Sequence, residues 1–310
     1  MLVVRDLKKE YGAFRALDGL SFDVPDGQIV GLLGANGAGK TTLLNILAGC
    51  LDATQGTVSI DGIDLLAEPL RARSLISYLP ETCPLYEELT VDEYLRTICR
   101  LKGMDKNTAA RETARTAGMT GLNDVKHVVI RALSKGYRQR VGLAQAFCGG
   151  PKIMFLDEPT VGLDPLQAAD LTDTLRKNRR GQTIVFSSHH LHEVEQICER
   201  VIILDHGRII EDRMLRDDLS PVLILRAGYT GRDFSEKLLS LSAVMKAERI
   251  GADNRSQTFR LTCGPGGAPE EELNRLLGAL NAPILRLYPE KASLEDIFLN
   301  AARPINGEND

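Results

Sequence analysis

The sequence predicts an α/β protein: a mainly parallel sheet with antiparallel β and helical subdomains, followed by a small C-terminal α+β domain. Three observations lead there. An apolar run, Ile29–Leu33, enters a glycine-rich octet and leaves it as a helix-like run over 42–48. Two more apolar runs, Ile153–Leu156 and Thr183–Ser187, alternate with helical patterns, as strands buried in a parallel sheet do. Beyond residue 221 the order reads β-α-β-β-α-β, the split-βαβ or ferredoxin-like order.

Composition bounds the rest. A chain of 310 residues exceeds most single domains, so two are expected. Hydrophobic residues at 43% and charged residues at 26% fit a globular protein with a full core. The net charge of −4 offers no bulk basic surface, so nucleic acid is not an expected partner. The six cysteines are widely spaced without a CxxC pair, so neither a zinc site nor a disulfide framework is indicated, and reduced cytosolic thiols are the expectation. The N-terminus lacks a basic region followed by a long apolar run, and no stretch approaches ~18 apolar residues. The chain is therefore expected not to cross a membrane itself.

Residues 2–30 read as short strands, Leu2–Val4, Ala16–Leu17 and Leu20–Val24, with Tyr11-Gly12 in the first loop and a turn at Pro25-Asp26-Gly27. A strand over 56–60 ends at Asp61-Gly62, and another over 75–79 stops at Pro80. Thr90-Val91-Asp92-Glu93 is a capping box ahead of a helix that Gly103 ends. An alanine-rich helix is expected at about 107–117, and a third follows Ser134 until Gly149-Gly150-Pro151. These helices make a subdomain of about 84–150 inserted between strands. Helices near Pro165 and after His189 flank the strand at 183–187, and a hairpin spans 201–210. The first domain is placed at 1–217 and the second at 218–303, with a final helix at 293–301 and a disordered tail at 304–310.

The octet Gly34-Ala35-Asn36-Gly37-Ala38-Gly39-Lys40-Thr41, with Thr42 behind it, is a strand–loop–helix phosphate cradle. Its glycines let backbone N–H groups turn around an oxyanion, and the helix N-terminus adds partial positive charge. Lys40 has the reach for β- and γ-phosphates, and the Thr41 hydroxyl suits Mg²⁺. The second strand signal, Ile153–Leu156, ends in Asp157-Glu158. Carboxylates at the C-terminal end of a buried parallel strand open into the ligand crevice. Asp157 suits the Mg²⁺ shell, and Glu158 suits the positioning or activation of an attacking water. His189, His190 and His192 lack a fourth ligand nearby, and a metal reading for them is not favoured.

Leu133-Ser134-Lys135-Gly136-Tyr137-Arg138-Gln139-Arg140 resembles the signature motif of ABC ATPases. It lies between the phosphate loop and Asp157-Glu158, where that family has it. Gly162-Leu163-Asp164-Pro165 resembles the family's D-loop and Ser187-Ser188-His189 its switch histidine. The resemblance covers roughly residues 1–215, and Ser293-Leu294-Glu295-Asp296-Ile297-Phe298 resembles the ending of exporter subunits with a small C-terminal domain. It implies a P-loop ATPase core that binds ATP with Mg²⁺ and powers a membrane exporter. It also implies a head-to-tail dimer with a second copy, and polytopic membrane partners at the inner face of the cell membrane.

By that resemblance Glu158 holds water, His189 and Lys40 act on the γ-phosphate, and Thr41, Asp157 and Glu81 meet the metal. Tyr11 would stack on adenine, although half-buried packing is the alternative. Ser134 caps its helix, whose N–H groups with Gly136 would meet the nucleotide of the other subunit. Lys135 and Tyr137 depart from the commonest signature, and Tyr137 cannot copy a glutamine's amide contacts. Glu81 stands where the family usually has glutamine; it is read as a hard-anion metal ligand or a solvated loop acid. The signature octet weighs against a GTPase or a small-molecule kinase, and no NKxD sequence is present; a soluble ABC-type ATPase or switch acting on a non-membrane partner is the rival reading.

Overall fold

The computed structural model describes residues 1–178, 181–215, 222–228, 233–264 and 269–289. The chain divides into two compact units between Leu215 and Arg216.

In the first unit, β1 (Leu2–Tyr11) and β2 (Phe14–Val24) form one long hairpin. This differs from the three short strands read from sequence. Register shifts after Val4, Leu7 and Lys9 let pairing continue from Leu2↔Val24 to Tyr11↔Phe14. Tyr11 is thus the last residue of β1 rather than a loop residue. Next, β3 (Ile29–Leu33) feeds α1 (Lys40–Leu47). After β4 (Gln55–Ile60) and β5 (Ile63–Asp64) comes a short helix absent from the sequence reading, α2 (Pro69–Ser74), opened by its proline, and then β6 (Ile76–Leu79).

The helical subdomain holds α3 (Val91–Leu101), α4 (Lys106–Met119) and α5 (Lys135–Phe147). The capping box is present: Thr90 N donates to Glu93 Oε2 at 2.9 Å, and Glu93 N donates to Thr90 Oγ1 at 3.3 Å. Asp105 caps α4 by accepting from Asn107 N and Thr108 N. Tyr94, Leu95, Cys99, Ala117, Val141 and Ala144 form a core of their own. The remaining elements are β7 (Ile153–Leu156), α6 (Pro165–Asn178), β8 (Thr183–Ser187), α7 (Leu191–Ile197), β9 (Arg200–Asp205) and β10 (Arg208–Met214).

Two sheets result. The antiparallel one has the order β2-β1-β4-β5, and the larger one β10-β9-β3-β8-β7-β6. In the larger sheet every pair is parallel except the β9–β10 edge hairpin. Every residue of β3, β7 and β8 is buried, as apolar strands covered on both faces must be. The core between the sheets runs from Leu2, Val4 and Leu7 through Leu43, Leu44 and Leu47 to Phe155 and Val185.

The second unit contains β11 (Val222–Gly228), α8 (Ser235–Leu239), β12 (Val244–Ala252), β13 (Ser256–Cys263), α9 (Glu270–Ala279) and β14 (Ile284–Pro289). Its sheet order is β12-β13-β11-β14 with antiparallel neighbours, so two βαβ crossovers interleave. Leu225, Phe259, Leu261, Leu273 and Leu277 make a separate small core. The helix expected at 293–301 and the tail at 304–310 lie outside the described residues.

Candidate functional site

Four neighbouring strands of the parallel sheet deliver the site from their C-terminal ends. The octet follows β3, His189 follows β8, Asp157-Glu158 follows β7 and Glu81 follows β6. Parallel strands end on one side, so segments far apart in sequence meet in one crevice. The cleft has a volume of about 350 Å³. It is lined by Tyr11, residues of the octet, Thr42, Glu81, Glu158 and His189, together with Phe14, Ala16 and Val161.

The octet wraps the start of α1. Gly39 is the N-cap in the left-handed region at φ 106°, and a Cβ there would lie 2.8 Å from both Ala16 O and Leu17 Cδ2. Backbone conformation and close approach therefore both require glycine. No side chain caps α1, which leaves its first-turn N–H groups open to an anion. Lys40 is 6% exposed. Its ammonium donates to Gly34 O at 2.7 Å and lies 3.6 Å from Glu158 Oε1.

Glu158 is 7% exposed and occupies the left-handed region at φ 46°. Such a conformation is costly for a non-glycine residue and persists only where the surroundings hold it. Here Glu158 N donates to Ser187 Oγ at 2.8 Å, and Glu158 Oε2 lies 2.7 Å from His189 Nδ1. The carboxylate thus bridges Lys40 and His189. Ser187 Oγ donates in turn to Asp157 Oδ1 at 2.7 Å. The other oxygen, Asp157 Oδ2, is buried without a hydrogen-bond partner. A buried, unpartnered carboxylate oxygen below a cleft carrying the Thr41 hydroxyl fits a hard divalent cation such as Mg²⁺. Burial, reinforced by the Asp157 charge, pushes the Tyr78 phenol well above its ordinary range, so it stays protonated beside this group.

Two further residues of the site were not found in the sequence. Glu193 Oε2 accepts from Thr160 Oγ1 at 2.7 Å and from Ser188 Oγ at 2.9 Å, which ties the segments after β7 and β8 together. Phe14 pairs with Tyr11 across the hairpin and places a second aromatic ring at the cleft. Only the register reveals the Tyr11–Phe14 pairing, because the two residues lie on opposite sides of a turn. Tyr11 itself is 49% exposed, with Lys9 Nζ 5.1 Å from its ring centre. Glu81 is exposed at the cleft rim.

Ser134 and Gly136 do not line this cleft. Ser134 Oγ accepts from Tyr137 N at 3.4 Å, capping α5, and is exposed. Gly136 packs so closely that a Cβ would meet Gln167 Oε1 at 2.6 Å. The rings of His189 and His190 lie 3.9 Å apart, whereas His192 Nε2 is engaged 2.9 Å from Gln196 Nε2. Among the described residues no group of three or more His, Cys, Asp or Glu could hold a metal. A cation at Asp157 would therefore need oxygens other than those of a side-chain cluster.

A glycine loop at the C-terminal end of a buried parallel strand, with an acid pair ending the strand two positions away, defines a P-loop nucleoside triphosphatase fold. Comparison with known proteins narrows this. Residues 17–161 match the ABC transporter family. The ABC transporter ATP-binding protein YdbJ of Bacillus subtilis (strain 168) is 32% identical over 97% of this chain and 95% of its own length. YxlF of the same organism is 39% identical over 67% of this chain and 69% of its own. The dimeric post-hydrolysis structure of the ATP-binding cassette MJ0796, bound to ADP and Pi, superposes with a TM-score of 0.65 at 26% identity. It covers 70% of this chain and 99% of the cassette. The chain belongs to the ATP-binding proteins of ABC transporters and carries their ATPase fold.

Proposed function

We propose that this chain is the ATP-hydrolysing subunit of a membrane exporter, working as a head-to-tail dimer with a second copy and with separate polytopic membrane subunits. The observation that carries this reading is the division of the site. Lys40, Glu158 and His189 meet in one cleft, whereas the Ser134 cap lies outside it on an exposed helix end. A second copy would supply its own Ser134 and Gly136 to the first copy's nucleotide. MJ0796 is a dimer, and the linearmycin resistance ATP-binding protein LnrL of Bacillus subtilis, 32% identical over 68% of each chain, lends support to export.

In this reading the octet holds the phosphates, and Tyr11 with Phe14 flanks the base. Mg²⁺, held by Thr41 and Asp157 with Glu81 at the rim, would neutralise charge on the β- and γ-phosphates. Glu158 accepts the proton of the attacking water. His189, fixed by Glu158, donates toward the γ-phosphate, and Lys40 leaves Glu158 to meet the same group. ATP closes the two copies into a sandwich and hydrolysis reopens it, and the helical subdomain with the segment 83–89 passes the motion to the membrane subunits. No helix among the described residues is long and apolar enough to cross a membrane.

Mixing Ser134→Arg chains with Lys40→Ala chains tests the shared site. One of the two sites in the heterodimer keeps both elements, so the mixture regains part of the ATPase activity that each variant lacks. ATP turnover per chain that is independent of concentration, from monomers, would refute the dimer. Isolation from cells with a soluble partner instead of a polytopic membrane protein would refute the exporter.

A further inference from the structure

Two thiols meet in the helical subdomain, away from the cleft. Cys99 in the last turn of α3 and Cys148 at the end of α5 are both fully buried. Their Sγ atoms lie 3.6 Å apart, in an S–H···S contact between residues 49 positions apart. Packing alone brings them together.

Their surroundings are polar for a core. Thr113 Oγ1 lies 3.9 Å from Cys99 Sγ, and Thr116 Oγ1 lies 3.7 Å from Cys148 Sγ. The Lys102 ammonium donates to Cys148 O at 2.7 Å. From α4, Glu112 accepts from Gly149 N at 2.9 Å and Arg115 donates to Phe147 O at 3.1 Å. A surface cleft of about 550 Å³ has in its wall Glu112, the residue before Thr113, and Gly149, the residue after Cys148. The cleft wall thus includes chain neighbours of the pair, while both sulfurs stay buried, so an oxidant reaches them through local opening of the subdomain.

Structural buried cysteines are normally inert because burial disfavours the thiolate. Here the contact with Cys148 lowers the Cys99 thiol, and the same contact with burial pushes Cys148 up.

We propose that Cys99 and Cys148 are an oxidation site: a hydroperoxide converts this dithiol to a disulfide that ties α3 to the end of α5. The Cys99 thiolate attacks one peroxide oxygen, the O–O bond breaks, and the other oxygen leaves as water or alcohol after taking a proton. Cys99 is then a sulfenic acid. Cys148, giving up its proton, attacks the Cys99 sulfur, and hydroxide leaves with that proton as a second water. The two sulfurs lose two electrons, which the O–O bond accepts. Closure to a bond of ~2.0 Å needs a sulfur movement of about 1.6 Å, within the range of side-chain rotation. The disulfide stiffens the subdomain and leaves the cleft residues untouched.

The test treats the folded, full-length chain with hydrogen peroxide and maps its cysteines by peptide mass before and after dithiothreitol. The exposed Cys50 reports that oxidant was present. The expected result is a Cys99–Cys148 disulfide, reversed by dithiothreitol, formed with unchanged helical circular dichroism. It should raise the melting temperature of the first unit by about 5 °C or more, a shift that Cys148→Ser abolishes. Cys99 and Cys148 both remaining as thiols while Cys50 is oxidised would overturn the proposal. So would a pair that links only after the chain has been unfolded in urea.

Discussion

Replacing Glu158 by glutamine separates its two roles. Its carboxylate lies 3.6 Å from the Lys40 ammonium, with both groups nearly excluded from water. At an effective dielectric of about 20 the bare Coulomb attraction of that pair is about 4–5 kcal/mol, before the cost of desolvating both groups. A triphosphate must draw Lys40 away from Glu158 on binding. Glutamine removes this competition yet keeps an amide within hydrogen-bond reach of His189. ATP affinity is therefore expected to hold or to rise by up to about tenfold, ~1.4 kcal/mol of the pair energy. Turnover should fall by about 10²–10⁴, since an amide accepts no proton from water. That loss corresponds to about 2.7–5.4 kcal/mol in the barrier. Fluorescent-nucleotide titration and phosphate release under saturating ATP measure the two effects, and ATP should trap the variant as a dimer. Near-normal turnover would refute the role given to Glu158, and weakened ATP binding would refute the competition for Lys40.

Three further outcomes follow from the same geometry. Gly39→Ala forces a Cβ into left-handed backbone 2.8 Å from Ala16 O, so it should cost about 2–4 kcal/mol. The melting temperature should drop by about 5–15 °C with loss of ATP binding; a wild-type melt would contradict the packing argument. Glu81→Gln keeps an oxygen at the cleft rim and should retain substantial Mg²⁺-dependent hydrolysis, whereas Glu81→Ala should lose much more; equal wild-type rates for both, with and without the membrane subunit, would make Glu81 a solvated acid. A chain ending at residue 217 should still bind ATP but lose dimer stability or partner coupling, read by nucleotide titration and sedimentation. Failure of the folded truncation to bind ATP would contradict a nucleotide site confined to the first unit.

What was legible in the sequence is what neighbouring residues decide among themselves. A glycine loop between an apolar strand and a helix is local chemistry, and so is the cap that Thr90 and Glu93 exchange across three positions. Continuous apolar runs at 29–33, 153–156 and 183–187 announced buried parallel strands, because only strands covered on both faces lack polar alternation. Those signals determined the fold class and the candidates at the strand ends. The extent of β1 and β2 was not legible: irregular register at Val4, Leu7 and Lys9 breaks the alternation that marks a strand, while cross-strand pairing carries it through. The helix α2 was too short to show a period.

Tertiary structure alone decided the distances in the site. Glu158 and His189 are 31 residues apart, and their 2.7 Å contact exists because β7 and β8 pair in parallel with a fixed register. Glu193 entered the site for the same kind of reason, since its partners Thr160 and Ser188 come from two segments that meet only after the sheet has formed. The meeting of Cys99 with Cys148 likewise depends on how α3 packs against α5. Short-range steric and hydrogen-bonding preferences are written residue by residue. Contacts across a sheet or between helices depend on registers set by the packing of the whole core.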